Sequence, residues 1–470
     1  MRTPFEDQKI IKLLKGFLKK TLTKNKSATE KSIAPVIIPR SEHKISRNMI
    51  SHNALKVLYR LNNSGYTAFL VGGCVRDLLL DRHPKDYDIA TNALPEEVRK
   101  LFRNCRLIGK RFRLAHIVFG KEIIEVATFR THHKQGEDKH GRMEDGMIIR
   151  DNVYGTIEDD AWRRDFTINA LYYNIADFTI IDYTGGIPDL QTKTLRMIGD
   201  PDLRFHEDPV RLLRAIRFVG KLDLTISPET ETHVLALNNL LENVSPARLF
   251  QEVLKFFQEG ATLQTFKLLK KYNLFGQLFP QTADVLVSHP ETERLLEEAL
   301  RSTDERLHAG KTVSPAFLFA IFLWHPVLVH IKKFQNEGLQ PHIAYEKSLK
   351  MVLRQQTESL TIPRRLLINV QEICFLQHRL TCRYGTAPHR LLEHPRFRAG
   401  YDLLILRAGS EDSVKDLCEW WVKFYNGTVE EREVLMKEAA KIQPVRRKRK
   451  YHKPRHRNKA KAAVPPIKID

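Results

Sequence analysis

The chain has 470 residues, 42% apolar and 28% charged, with a net charge of +21. That is enough for roughly two to four domains and a sizeable core, in the ordinary composition of a soluble protein. The positive excess bears on partners, not on fold: it favours a polyanion, either nucleic acid or an anionic membrane surface. The five cysteines (Cys74, Cys105, Cys374, Cys382, Cys418) are scattered without a Cys-x-x-Cys pair. This provides no zinc site and fits free thiols in a reducing cytoplasm. The longest apolar run, Ala316 to Trp324, stops at His325 and Pro326, far short of the ~18 residues that span a bilayer. No secretory signal pattern opens the chain.

Residues 1–50 read as a basic extension. Ile10, Ile11, Leu14, Phe17 and Leu18 recur at helical spacing among Lys9, Lys12, Lys15, Lys19 and Lys20. Three readings stand: contact with an anionic membrane, a helix packed on the protein, or a free arm. From Ser51 the pattern is globular, with Ala54, Leu55, Leu58 and Leu61 on one helix face and Gly65 as its C-cap.

The stretch FLVGGCVRDLLLDRHPKDYD, Phe69 to Asp88, carries the most chemistry. An apolar strand runs into Gly72 and Gly73, a short helix follows from about Cys74 to Leu80, and a turn delivers Asp86 and Asp88. Glycines let backbone N–H groups approach a ligand, and the helix start behind them favours a phosphate. Two carboxylates at i and i+2 on extended chain share a side and suit Mg²⁺.

Pro95 to Phe102 predicts a helix, with Thr91 or Asn92 as nearby caps. Leu114 to Phe119 and Glu122 to Phe129 predict a hairpin through Gly120-Lys121. Glu125 sits inside the second strand, which implies either a shared metal or a face open to water. Residues 130–150 read as a mobile loop whose His132, His133 and His140 lack a firm metal spacing. In WRRDFTINALYYN, Trp162 to Asn174, Arg163, Arg164, Asp165 and Asn169 adjoin an apolar helix pattern. The arginine pair suits a polyphosphate; Asp165 either orients an arginine, assists a metal or caps a helix.

Thr179–Tyr183 and Thr194–Ile198 predict strands around Gly185-Gly186. In FHEDPVRLLRAIRFVGKL, Phe205 to Leu222, Asp208 is a candidate N-cap, and Arg211, Arg214 and Arg217 recur every three residues. Asp208 and Arg211 either read a nucleobase edge together or form an i,i+3 ion pair. Beyond 227 the pattern is helical to about 430, with breaks expected at Pro228, Pro246, Pro280, Pro326 and Pro363. Arg446 to Lys461 holds ten Lys/Arg and no acid, about half of the charge excess.

Gly72-Gly73 with Val75-Arg76-Asp77, Asp86-x-Asp88, Arg163-Arg164-Asp165 and Glu207-Asp208-x-x-Arg211 together resemble the class II branch of the polymerase-β-like nucleotidyltransferases. That branch contains bacterial poly(A) polymerases and CCA-adding enzymes. The stretches Leu101–Gly120, Glu125–Arg130 and Leu391–Leu404, with the basic tail, are more similar to bacterial poly(A) polymerase. Cys74 departs from the small residue usual there.

The resemblance implies an α+β fold: a small mixed-sheet head (51–200), a helical nucleotide- and RNA-binding neck (201–260), a helical body (261–442) and a disordered basic tail (443–470). It implies AMP transfer from ATP to RNA 3′ ends, promoting RNA turnover, with two Mg²⁺ ions on Asp86 and Asp88. Glu125 is the candidate third ligand and Asp165 a further catalytic acid. Gly72, Gly73, Arg76, Arg164, Asn169, Asp208, Arg211 and Arg214 would bind the nucleotide. Arg446, Arg447, Lys448, Arg449, Lys450, Lys453, Arg455 and Arg457 would grip RNA. A cytoplasmic monomer working beside RNA-degradation machinery is the expected setting. The alternatives are tRNA CCA addition and a non-catalytic RNA-binding protein.

Overall fold

Ala68–Val71 is buried on both faces, and a strand of that kind belongs in the middle of a sheet. The computed structural model, which describes residues 34–109, 113–131, 141–144, 147–151 and 153–442, places it there. In chain order the strands are β1 (Val36–Ile38), β2 (Ala68–Val71), β3 (Asp88–Thr91), β4 (Cys105–Ile108), β5 (Leu114–Phe119), β6 (Glu122–Thr128), β7 (Gly141–Glu144), β8 (Met147–Asp151), β9 (Leu171–Asn174), β10 (Ile180–Asp182), β11 (Thr194–Leu195) and β12 (Thr225–Ile226). Eight of them form one sheet in the order β1-β10-β9-β2-β3-β6-β5-β4. Neighbours are antiparallel except β3 and β6, which run parallel with Asp88 opposite Glu125.

Alternation sorts the two faces. Ala68 and Leu70 of β2, Ile89 of β3, and Ile124 and Val126 of β6 join one core cluster. That cluster also takes in helices α1 (His52–Asn63), α2 (Gly73–Leu79) and α3 (Pro95–Leu101) through Leu58, Val75 and Val98. Phe69, Val71, Ala90 and Tyr172 face the other way and pack with Ala161 of α4 (Ile157–Trp162). Asp88 and Glu125 share the parity of Ala90 and Ala127, so both carboxylates sit on this second face.

Several expectations change. The apolar run after Arg164 is not a helix. A 3-10 turn at Thr167–Asn169 leads into β9, which pairs with β2 and β10. Tyr172 and Tyr173 are fully buried on opposite sides of that central strand, a half-and-half environment that suits aromatic residues. Part of the expected loop is a hairpin of β7 and β8; His132, His133 and His140 lie outside the described residues. The helix at 95 is capped by Glu97, whose carboxylate accepts from Leu94 N–H, while Asn92 accepts from Thr67 N–H.

Helices α5 (Gly186–Gln191), α6 (Pro201–Glu207) and α7 (Val210–Leu222) join the sheet to the helical remainder. The Asp182 carboxylate accepts from the N–H groups of Thr184, Gly185, Gly186 and Ile187 and so opens α5. A Cβ on Gly186 would lie 2.3 Å from Thr167 O, so only glycine fits.

Thirteen further helices follow between Pro228 and Ile442. Their core is aromatic, with Phe257, Phe266, Phe275, Phe279, Phe319 and Phe322 in mutual contact. Pro228, Pro246 and Pro280 open helices. Pro326 does not break one: helix Pro315–Asn336 runs through it. By length and composition this helix could cross a membrane, although 67% of its most apolar window is buried inside the protein.

Candidate active site

The β2 chain ends at Gly72, whose φ of +76° only glycine adopts without strain. A Cβ there would approach Arg164 Nη1 to 3.2 Å and Asn169 O to 3.4 Å. Gly73 begins α2, and Arg76 folds back beside it. Gly72, Gly73, Arg76, Arg164 and Asn169 therefore converge, although they come from two stretches about ninety residues apart.

Each guanidinium is held. Arg76 donates to Asp77 at 2.7 Å and to the Asn169 side-chain oxygen. Arg164 donates to Asp160 at 2.8 Å and to the Tyr172 hydroxyl at 3.0 Å, and that hydroxyl also donates to Asp160 at 2.8 Å. Burial works against the Asp160 charge, but Arg164 and Arg163 outweigh it and hold the carboxyl well below its usual range. Asp160 and Tyr172 were not anticipated. The available signal was an acid four residues before Arg164, the spacing of a helical ion pair.

Asp88 and Glu125 stand side by side, and His116 on β5 lies opposite Glu125 with Nε2 3.2 Å from its carboxylate. Asp88 opens to solvent at the start of β3, yet it is partly desolvated by its surroundings, and Glu125 adds like charge. Together with the more distant Asp86 they push its carboxyl up to about 6, against the pull of Arg164. Asp86 is exposed just ahead of β3. A cavity of about 320 Å³ opens here, lined by both Asp88 and Glu125 and by Arg130, Arg163 and Arg164. The oxygen donors and their mutual repulsion fit a hard divalent cation. Among the described residues no three His, Cys, Asp or Glu side chains already converge on a metal position.

Asp165 is elsewhere engaged. Its carboxylate accepts from Arg214 at 2.7 Å, from Asn169 at 3.1 Å and from Phe166 N–H at 2.8 Å. Burial opposes its charge, yet Arg214 above all keeps it below the usual range. Hydrogen bonds thus run from Arg76 through Asn169 and Asp165 to Arg214, joining α2 to α7. Phe218 on α7 carries Arg76, Arg214 and Arg217 on its ring at 5.1, 5.3 and 4.7 Å.

Asp208 and Arg211 do not pair. Asp208 accepts from Arg248 at 3.0 Å and from Val210 N–H at 3.3 Å, and α7 begins after Pro209. Arg211 donates to Glu207 at 3.0 Å and to Arg204 O at 2.6 Å. The i,i+3 ion pair does not form, but the cap does: Asp208 is extended, Pro209 already has helical dihedrals (φ -61°, ψ -18°), and the Asp208 carboxylate accepts from the N–H two residues on. The two side chains are held separately, each by its own partner. The tail residues Arg446 to Arg457 lie outside the described residues.

Three family models match. The poly A polymerase head domain covers residues 68–196, the probable RNA and SrmB-binding site of polymerase A covers 223–286, and the polymerase A arginine-rich C-terminus covers 337–457. Poly(A) polymerase I of Escherichia coli O6:H1 is 50% identical over 420 residues, 87% of this chain and 90% of that protein. Poly(A) polymerase I of Haemophilus influenzae is 47% identical over 428 residues, 90% and 94% of the two chains. A CCA-adding enzyme of Lactobacillus helveticus is 37% identical over 215 residues, only 46% and 52% of the two. The Bacillus stearothermophilus CCA-adding enzyme, solved in complex with CTP, shares the fold at a TM-score of 0.51 and 24% identity, over 82% of this chain and 91% of that one. With 50% identity over 420 aligned residues that span 90% of such a relative, the chain belongs to the poly(A) polymerase family.

Proposed function

We propose that this chain transfers AMP from ATP to RNA 3′ ends, without a template and with release of pyrophosphate. The observation that carries the reading is one cavity lined by both carboxylates and arginines. The carboxylates suit cations and the arginines suit phosphates.

Asp86 and Asp88, with Glu125 as third ligand, are the residues that would hold Mg²⁺, two ions in the family reading; bound there, the metal neutralises charge on the phosphoryl group in transfer. The remaining work falls to the chain itself. The N–H at Gly73, with Arg76 and Arg164, binds the triphosphate, while Gly72, whose own N–H donates to Leu171 O, leaves the room a side chain would fill. Asp160 and Tyr172 aim Arg164 at it. Asp165 acts through Arg214 and Asn169, so it positions the cradle. Asp208 and Arg211 present an acceptor and a donor to adenine once Arg248 and Glu207 release them. The basic tail grips RNA without regard to sequence. The neck and body divisions at 201–260 and 261–442 belong to the same reading. So do a cytoplasmic monomer, company with RNA-degradation machinery, and membrane-surface contact through the N-terminal extension.

The test offers purified protein a generic RNA and a tRNA lacking its CCA end, each with ATP, CTP or both. Long ladders from ATP alone on the generic RNA are expected. Addition confined to three nucleotides on the tRNA, needing CTP, would replace this reading with CCA addition. RNA binding without extension in any lane would replace it with a binding protein.

A further inference from the structure

The helical body carries a concave site of its own. A cavity of about 550 Å³ opens between the start of helix Pro341–Ser359, the end of helix Arg364–Leu380, the turn at 381–386 and helix Ala387–Leu392. Its walls include His342, His378, Arg379, Tyr384 and Arg390, and no Asp or Glu. Arg379 and Arg390 are exposed and make no ion pair among the described residues. Glu346, one turn from His342, is already taken by Lys350 at 2.7 Å. In the same turn Arg383 buries its Nε with no hydrogen-bond partner.

Cations gathered without carboxylates repel one another until an anion arrives. The charge alone would suit an acidic peptide or RNA. The flat groups decide between them. Tyr384, His342 and His378 interleave with the arginines, and that mixture is what single-stranded nucleic acid uses: phosphates on guanidinium groups, bases on rings. The cavity has the volume of a site for a nucleotide-sized ligand. Leu391 on its wall belongs to the same packed cluster as Trp421, Phe424 and Ala439. Ala439 lies on helix Val429–Ile442, after which the basic run from Arg446 begins. The cavity and the helix that precedes the basic run therefore share one packed cluster.

The geometry points to this cleft as a second RNA-binding site. It takes a short stretch of single-stranded RNA upstream of the 3′ end, with phosphates on Arg379 and Arg390 and a base on Tyr384. The assignment rests on RNA being the acceptor in the proposed function.

The experiment uses the full chain and fluorescence anisotropy with a labelled oligoadenylate of about 20 nucleotides, longer than one binding patch covers. R379A/R390A is expected to bind about tenfold more weakly. Its plot of log affinity against log salt should be shallower by about 1.4, the release from two phosphates on a single strand. Tyr384→Leu should also bind about tenfold more weakly while Tyr384→Phe binds as wild type. RNA should slow alkylation of Cys382, which lines the cleft, and not of Cys105 in the head. ATP incorporation into a dinucleotide primer should be unchanged in every variant. Unchanged RNA affinity and salt slope in both the double variant and Tyr384→Leu would overturn the site. Protection of Cys382 by polyglutamate and not by RNA would overturn it too, in favour of an acidic protein partner. Wild-type protein that adds no AMP but shows the full binding pattern would support the cleft and contradict the polymerase reading.

Discussion

Asp88 and Glu125 come from segments 37 positions apart in number, yet a parallel strand pair sets them side by side. Asp86-x-Asp88 was legible because both carboxylates lie in one short stretch; the pairing with Glu125 was not, because it depends on strand register. Gly72 was legible as a cradle glycine, but its reason is more specific. Its φ is +76° and Arg164 occupies the place of a side chain. Gly72→Ala should cost about 1–2 kcal/mol from the backbone alone and raise KM for ATP about tenfold by displacing Arg164; urea unfolding and steady-state kinetics read the two effects. Asp160 makes a pH prediction. Its folded pKa lies below the unfolded value near 3.9. Its stabilisation is therefore full above about pH 4 and is lost as pH falls through the folded value. Asp160→Asn should cost about 3 kcal/mol at neutral pH and flatten the acid limb of the stability curve, which chemical unfolding at stepped pH would show.

At the scale of elements, local pattern served where an element carries its own punctuation. The strand before Gly72, the hairpin at Gly120-Lys121 and the prolines that open helices stand as read. It failed where neighbours decide. β9 carries apolar residues on both faces because a core cluster packs against each face of the sheet there, and an apolar run covered on both faces has no period to separate strand from helix. Helix Pro315–Asn336 tolerates Pro326 because tertiary packing holds it, with Phe322 and Phe319 one and two turns earlier in the aromatic core. Asp208 and Arg211 looked paired from spacing, but Arg248 and Glu207, one from a distant helix, compete for them. Phe322→Ala removes a ring stacked 4.6 Å from Phe279 and should destabilise the protein by about 3–5 kcal/mol. KM for ATP, measured below the unfolding range, should not move.

For the whole molecule, the proposed reading gives the chemistry to the head and the grip on RNA to the charge excess. The tail contributes about half of that excess, so removal of residues 443–470 should weaken RNA binding and flatten its salt dependence. The rate on saturating RNA should stay within about twofold of the full chain, since no residue of the head site is lost. The central claim is that the carboxylate site at Asp88 carries out AMP transfer to RNA. It is tested most directly by single-turnover incorporation of α-labelled ATP into an RNA 3′ end, with Mg²⁺, comparing wild type with Asp88→Asn. The account predicts that the variant still binds ATP but incorporates AMP at least about a thousandfold more slowly. Incorporation by the variant within tenfold of wild type would contradict it.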